Sequence, residues 1–316
     1  MKVHVTFDVE VWCDGWGDLD GKFPAAFERY TYGRSARGSY ALPKTLEIMD
    51  RHGLRGVFFV EPLFSARFGA PYLATMARLI ADAGQDVQLH LHPEWTDEIR
   101  PPILADVSAK RQHMVFYDAD EQTALIATGR RLLEQALGNR VSVFRAGSFA
   151  ANRDTYRALA RNGFTMDSSL NAAFDRTGGS IDGVHEFGST RTIEGVHCFP
   201  VTVYRDGLGR PRPAQLNGSS YAELKNALLD AQARGVRHFV IVSHNFEMLK
   251  PGTSEPDAFV VRRFEGLCRF LAAERGRFDV GSFAEPVGAG AAEARPRVPL
   301  HATAGRLAEQ LARRFA

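Results

Sequence analysis

The sequence predicts an α/β protein, a single distorted (β/α) barrel with seven or eight parallel strands. Three observations lead there. A unit of amphipathic helix, glycine and short apolar strand recurs six times over roughly 285 residues. The residue types that do chemistry fall at the C-terminal tips of those strands. No GxGxxG turn follows the first strand, which argues against the open dinucleotide-binding sheet that is the main alternative architecture.

The first strand is VHVTFDVE, Val3 to Glu10. It is apolar along its length and acidic at its end, and its period of two puts Asp8 and Glu10 on one face. The stretch from Val11 to Ala41, rich in glycine and aromatics, reads as a long loop of the kind that covers a site. Leu42, Leu46 and Met49 then share a helical face, Gly53 stops the helix, and GVFFV (Gly56 to Val60) is a strand. Leu73, Met76, Ala77 and Ile80 repeat the pattern, with Gly84 as the stop and Asp86 to Leu91 as the strand. Asp118 and Glu121 form a capping box for a helix carrying Leu125, Leu132 and Leu133; Gly138 ends it, and Val141 to Phe144 follows as a strand. A helix from about Arg153 stops at Gly163 before FTMD. Ser220 and Glu223 cap the next, with Leu224 and Leu228 facing inward, Gly235 closing it and HFVIVSH following. Phe264, Leu267 and Leu271 precede Gly276 and FDVGSF.

The segments 93–117 and 171–196 lack periodicity and read as excursions over the barrel mouth. The barrel is expected to occupy residues 1–286. Residues 287–316 form a Gly/Ala/Pro linker and a short amphipathic helix, with Leu307, Leu311 and Phe315 beside Arg306, Arg313 and Arg314. Such a helix suits either its own barrel or peripheral contact with a membrane surface.

A net charge of +2 gives no footprint for nucleic acid. No apolar run approaches the roughly 18 residues of a membrane span. Lys2 leads directly into the first strand, leaving no room for a signal peptide. Cys13, Cys198 and Cys268 are sparse and odd in number, as in a reducing compartment, so a cytoplasmic location is expected.

Several strand tips carry chemistry. QLHLHPEW places His90 and His92 two apart, Arg145 and Gly147 follow the strand ending at Phe144, Asp167 ends FTMD, and His244 ends HFVIVSH. In a barrel these tips share one mouth. Two imidazoles with one or two carboxylates suit a divalent metal, most naturally zinc, and the absence of thiolates argues against a structural zinc site. Trp12, Trp16 and Trp95 offer flat faces for a sugar, or ordinary packing.

TFDVE, LHLHPEW, FRAGSF, MDSSL and IVSHN, in that order from Val3 to about Phe283, resemble the five motifs of the polysaccharide deacetylase superfamily of carbohydrate esterases. The resemblance implies that Asp8 is the general base, Arg145 orients it, and His244 protonates the leaving amine. It makes Glu10 and His90 metal ligands. The sequence departs from the family in two places. Val9 separates the paired acids, and Glu94 stands where a second histidine is usual, so His92 becomes the natural third ligand. Whether Asp8 and Glu10 exchange roles, or Glu94 joins the ligands, is left open by the sequence. Trp95, Gly147, Ser148 and Asp167 are expected to line the substrate, with a backbone N–H near Gly147 or Ser148 meeting the oxyanion.

The expected activity is metal-dependent removal of an N-acetyl group from an amino sugar, nucleotide- or lipid-linked, in surface polysaccharide or lipopolysaccharide assembly. The competing readings are cleavage of formyl groups or other small amides, and a carbohydrate-binding barrel with lost or altered catalysis. A glycosidase is disfavoured, because two acids two residues apart on one strand rarely flank opposite sides of a glycosidic bond.

Overall fold

The computed structural model of the chain describes residues 1–174, 190–284 and 295–313. They gather into two compact units, one formed by Met1–Gly56, Thr202–Ser282 and Glu293–Ala316, the other by Val57–Val201 and Phe283–Ala292.

In the first unit, β1 (Lys2–Val9) lies between two strands from the far end of the chain. β12 (His238–His244) and β13 (Asp279–Val280) both run parallel to it, and the register sets Asp8 opposite His244. Alternate residues of β1 go to opposite faces, yet Val3 to Val9 are all buried, which is why the strand reads as a continuous run. Phe7 meets Phe264 of α8 (Ala258–Ala273) edge to face, with ring centroids 5.6 Å apart. The unit also holds α1 (Leu19–Thr31), the small hairpin β2 (Arg34–Ser35) and β3 (Gly38–Ser39), α2 (Leu42–Arg51), the hairpin β10 (Val203–Arg205) and β11 (Pro211–Pro213), α7 (Tyr221–Ala233) and α9 (Leu300–Arg313).

In the second unit β4 (Val57–Val60), β5 (Asp86–Leu91), β6 (Val143–Ala146), β7 (Met166–Asp167) and β9 (Val196–Cys198) form a parallel ladder in that order. β8 (Arg191–Ile193) adds antiparallel to β9 at its edge. The connections are α3 (Phe64–Phe68) and α4 (Ala70–Asp82), then α5 (Ala119–Leu137), then α6 (Arg153–Arg161). The α/β class of repeated parallel strands and helices is as the sequence predicts, and so are the signals that delimit it. Asp118–Glu121 and Ser220–Glu223 are both reciprocal capping boxes, and Gly138 ends α5 at φ 75° with its N–H on the Glu134 carbonyl.

One expectation is corrected. The segment after β1 is not a simple loop, because Leu19–Thr31 is a helix whose buried Leu19, Phe23, Ala26 and Phe27 lie at helical spacing. Gly21 and Pro24 interrupt that pattern in the sequence and hide it. The excursion 93–117 holds only two short 3₁₀ turns, Pro93–Glu98 and Met114–Phe116. Most of the 171–196 excursion, the 287–294 linker, Arg314 and Phe315 lie outside the described residues.

The C-terminal helix α9 is turned opposite to the usual arrangement. Arg306 is buried and donates to Glu223 at 3.0 Å and Asp206 at 3.3 Å, and Arg313 chelates Asp257, while Leu300, Leu307 and Leu311 are 58%, 48% and 58% exposed. Its charges hold it to its own unit and its leucines face out. No described helix is long and apolar enough to cross a membrane. The three cysteines are unpaired and buried.

At the opposite end of β1 from Asp8, His4 stacks on His238 and their Nε2 and Nδ1 lie 3.1 Å apart. Burial outweighs the His4 hydrogen bond to the Gly281 carbonyl and drops its pKa from 6.5 to about 3; burial and the Arg237 and Lys2 charges drop that of His238 to about 4. Both rings are neutral in the fold but take up protons in the unfolded chain below 6.5. Their contribution is therefore present at neutral pH and lost as pH falls from about 6.5 toward 4. In thermal melts across that window, His4→Phe is expected to show a shallower fall of Tm than the parent protein. Parallel slopes would remove the pair as a source of acid sensitivity.

Candidate active site

In the first unit the tip of β1 is clamped to the tip of β12. The Asn245 N–H donates to the Asp8 carbonyl at 3.2 Å, and its side chain accepts from the Glu10 N–H and donates to the Glu10 carbonyl, each at 3.1 Å. A further bond from Asn245 to the Tyr30 carbonyl at 2.6 Å ties α1 to the same point. Trp12 Nε1 donates to Glu10 Oε2 at 2.6 Å and sets the carboxylate's rotation. Asp8 and Glu10 are 3% and 5% exposed, and one donor atom each of Asp8, Glu10 and His244 lie within 4.8 Å of one another. Carboxylates and a neutral imidazole at that separation could hold a divalent cation; with the imidazole protonated the same group is an acid facing two carboxylates.

His244 is oriented from behind. Its Nδ1 donates to Glu247 Oε1 at 2.9 Å. Glu247 is itself pinned by Ser243 Oγ, Gln215 Nε2 and the Asn217 N–H at 2.9, 2.9 and 3.0 Å. Burial alone would lower the imidazole pKa. The hydrogen bond to Glu247 and the charges of Glu10, Glu247 and Asp8 reverse this and raise it to about 9. The ring is cationic at neutral pH and can donate a proton from Nε2.

In the second unit His90 is the penultimate residue of β5 and His92 lies just beyond its end, with ring centroids 4.8 Å apart and planes at 78°. His90 Nδ1 faces the Arg145 carbonyl at 2.8 Å. A carbonyl only accepts, so Nδ1 carries the proton and a ligand role falls to Nε2. His92 Nδ1 lies 3.1 Å from Glu94 Oε2, the carboxylate–imidazole pairing that orients metal-binding histidines. A Cβ on Gly147 would come within 2.7 Å of the His92 ring, so only glycine leaves His92 its place. Beyond it Ser148 and Phe149 both take left-handed φ, 55° and 57°, which non-glycine residues adopt only when held there.

Arg145 is fully buried. It donates to the Ser168 carbonyl at 3.1 Å and Ser168 Oγ at 2.9 Å, and its guanidinium lies 4.2 Å from the centre of the Phe59 ring. Two of the side chains expected to line the substrate are enclosed. Asp167 is wholly buried, accepting from the Tyr156 hydroxyl at 2.9 Å and the Ser169 N–H at 2.8 Å; burial, opposed by Ser169, Tyr156 and Arg145, raises its pKa to about 6. Trp95 is 1% exposed and packs edge-on against Phe68, so it presents no face to a sugar.

Three residues passed over in the sequence matter here. Glu247 stands three after His244, a spacing that could have marked it as the imidazole's partner. Asn245 is part of IVSHN and clamps both acids. Glu61 directly follows GVFFV and is a buried strand-tip acid, accepting from the Leu63 and Phe64 N–H groups, with burial raising its pKa to about 8.

No protein-family model matches the sequence, and no curated protein does. Solved structures do. A "putative polysaccharide deacetylase" from Mycobacterium smegmatis aligns over 91% of this chain and 94% of its own, with 18% identity and a TM-score of 0.52. At that identity the likeness establishes the fold, which is the (β/α)-barrel type expected. A family 4 carbohydrate esterase from Streptomyces lividans in complex with acetate aligns over 93% of this chain and 97% of its own, at 15% identity and TM-score 0.45. A family 4 pseudoenzyme from Bacillus anthracis covers 89% and 63% at 15% identity and TM-score 0.40. These two superpose too loosely to carry an argument.

Proposed function

We propose that the protein is a metal-dependent hydrolase that removes an N-acetyl group from an amino sugar. The observation that carries this is the grouping of Asp8, Glu10 and a cationic His244 at one strand end: a base, an anionic ligand and an acid within 4.8 Å. In this reading Glu10, His90 and His92 hold a divalent metal of the zinc type. The donor set fits, since both histidines have Nδ1 engaged and Glu10 is fixed by Trp12 and Asn245. When bound, the metal acidifies water and polarises the amide carbonyl. Asp8 takes a proton at its carboxylate, with Arg145 in the role of orienting it. Backbone N–H groups at Gly147 and Ser148 face the developing oxyanion. His244 delivers a proton from Nε2 to the departing amine while Glu247 retains its Nδ1 proton.

The substrate is a nucleotide- or lipid-linked sugar of surface polysaccharide or lipopolysaccharide assembly, met in the cytoplasm. The outward leucines of α9 would face the membrane that presents a lipid-linked form. The decisive trial is acetate release from N-acetylated sugar donors by metal-loaded and chelator-treated protein, with bound metal counted in parallel. Release only by loaded protein, with one equivalent of metal lost in His90→Ala and His92→Ala, is the expected result. If loaded protein releases acetate from no donor, the reading is lost.

One observation supports a second reading, a carbohydrate-binding barrel with altered catalysis. Glu94 occupies the place of the superfamily's second histidine, although here it serves His92. Sugar binding without any metal uptake would favour it. Formamido donors in the same panel separate deformylation from deacetylation. Within the leading reading, Glu247→Gln is expected to lower kcat about tenfold or more with KM little changed, because the acid loses its orienting charge.

A further inference from the structure

The leucines that α9 turns outward belong to a larger surface of the first unit. Leu300, Leu307 and Leu311 follow one another at spacings of seven and four residues and so share one helical face, with the exposed Ala304 and Ala308 between them. The stripe is about 16 Å long at 1.5 Å per residue. The turn between β10 and β11 extends it. Gly207 packs so closely on the start of α9 that a Cβ there would come within 2.4 Å of the Leu300 Cα, and its N–H donates to Thr303 Oγ1 at 2.8 Å. Leu208, the next residue, is 55% exposed at that same end of the helix. Among the described residues, these four leucines are most of the large apolar side chains left exposed; the other two, Phe116 and Phe174, belong to the second unit. Single exposed leucines are ordinary, but four on one surface mark a contact face.

The border of this patch is basic. Arg205 of β10 and Arg297 are partners in a parallel bridge, fixed by the Arg205 N–H on the Pro296 carbonyl at 2.8 Å and the Val298 N–H on the Arg205 carbonyl at 3.0 Å. Arg210 closes the same turn as Leu208, and all three arginines are exposed. Arg205 Nη1 donates to the Gly209 carbonyl, and none of the three guanidinium groups has an ion-pair partner among the described residues. The acids of the same stretches are committed elsewhere: Asp206 holds the buried Arg306, and Asp230, which accepts the Arg297 N–H, pairs with Arg234. Burial and the charge of Arg205 together lower the pKa of Arg295, two residues before Arg297. A second copy of this chain meeting the patch about a twofold axis would set arginines against arginines. An anionic bilayer answers both halves, with acyl chains for the leucines and phosphates for the guanidinium groups.

We propose that this face of the first unit docks on a membrane surface carrying anionic lipids, with the four leucines entering the acyl boundary and Arg205, Arg210 and Arg297 meeting headgroup phosphates. The proposal rests on the sugar-deacetylase reading only for the idea that a lipid-linked substrate waits there, and its test involves no turnover. Full-length protein would be floated with vesicles of phosphatidylcholine alone and of phosphatidylcholine mixed with phosphatidylglycerol. Binding to the anionic vesicles is expected to be about tenfold or more tighter, each arginine near such a surface contributing about fivefold. Arg205→Gln and Arg297→Gln should each lose about that factor on anionic vesicles and change nothing on neutral ones. Leu307→Ser combined with Leu311→Ser should abolish flotation with an unchanged thermal melt, since both side chains already face solvent. Leu208→Ser, which lies on the hairpin and leaves α9 untouched, should weaken binding in the same direction. Absence of binding to anionic vesicles overturns the proposal, as does equal binding to both kinds, or flotation that survives the leucine substitutions. A concentration-dependent dimer that the same leucine substitutions dissociate, in protein that binds no vesicle, assigns the patch to a second copy instead. If the protein floats and no lipid-linked donor loses acetate, the surface stands and the substrate reading falls; if donors are deacetylated and nothing floats, the reverse is true.

Discussion

Asp8→Asn is expected to lower kcat for acetate release by about 10²–10⁴-fold while leaving bound metal at one equivalent. Asparagine keeps the shape of the side chain and the Asn245 bond to the Asp8 carbonyl, so the strand tip stays in place. What it removes is the oxygen that takes the proton. Glu10→Gln should do the opposite, losing metal first and activity as a consequence, since a neutral amide is a poor ligand for a hard or borderline cation. The pair of variants, measured for metal content and kcat together, therefore assigns the two acids of VHVTFDVE to separate jobs. Metal lost from Asp8→Asn and retained by Glu10→Gln would exchange them.

The second large effect is on stability. Arg306→Met is expected to destabilise the first unit by about 3–5 kcal/mol in urea unfolding, the usual cost of stranding buried charges. Arg306 is 5% exposed and is shared by Glu223 and Asp206, both almost fully buried. Methionine fills the space but leaves two carboxylates without their cation. Glu223 also caps α7 through the Ser220 N–H and accepts from Thr303, so the loss spreads to the helix start. A cost below about 1 kcal/mol would mean that α9 is held by other contacts. Adding Glu223→Gln should recover part of the loss, because the pair is non-additive.

The repeating unit was legible because each of its signals is local. A capping box spans four residues, a glycine stop is a single position, and an apolar strand needs no partner to be recognised. The clustering of Asp8 and Glu10 with His244 could be anticipated for the same reason, since strand tips of one parallel sheet share an end. What stayed hidden depends on contacts distant in sequence or on patterns broken by special residues. Gly21 and Pro24 concealed α1. The exposure of a side chain at a strand tip is likewise invisible from the tip alone, so Trp95 and Asp167 looked available and are in fact enclosed. Asn245 was read as part of a motif, but its work as a clamp appears only when its bonds to Glu10, 235 residues away, are seen. A cavity beside His244 draws on residues from 29 to 313, and no window of sequence contains it.

The placement of β1 between β12 and β13 has a consequence for how the protein comes into being. The strand bearing Asp8 is made well before its ladder partners in the first unit, His238–His244 and Asp279–Val280. Until then a strand of eight residues with Val3, Val5, Phe7 and Val9 waits without them, exposed to mispairing. Closing a loop of that length is slow, and the contact order of this unit is correspondingly high. A ribosome-stalled chain ending before residue 238 would hold the acids of the site without the imidazole and without the strand that fixes them. In such a chain β1 is the natural client for a chaperone, and the pairing of Asp8 with His244 forms only once β12 has been made.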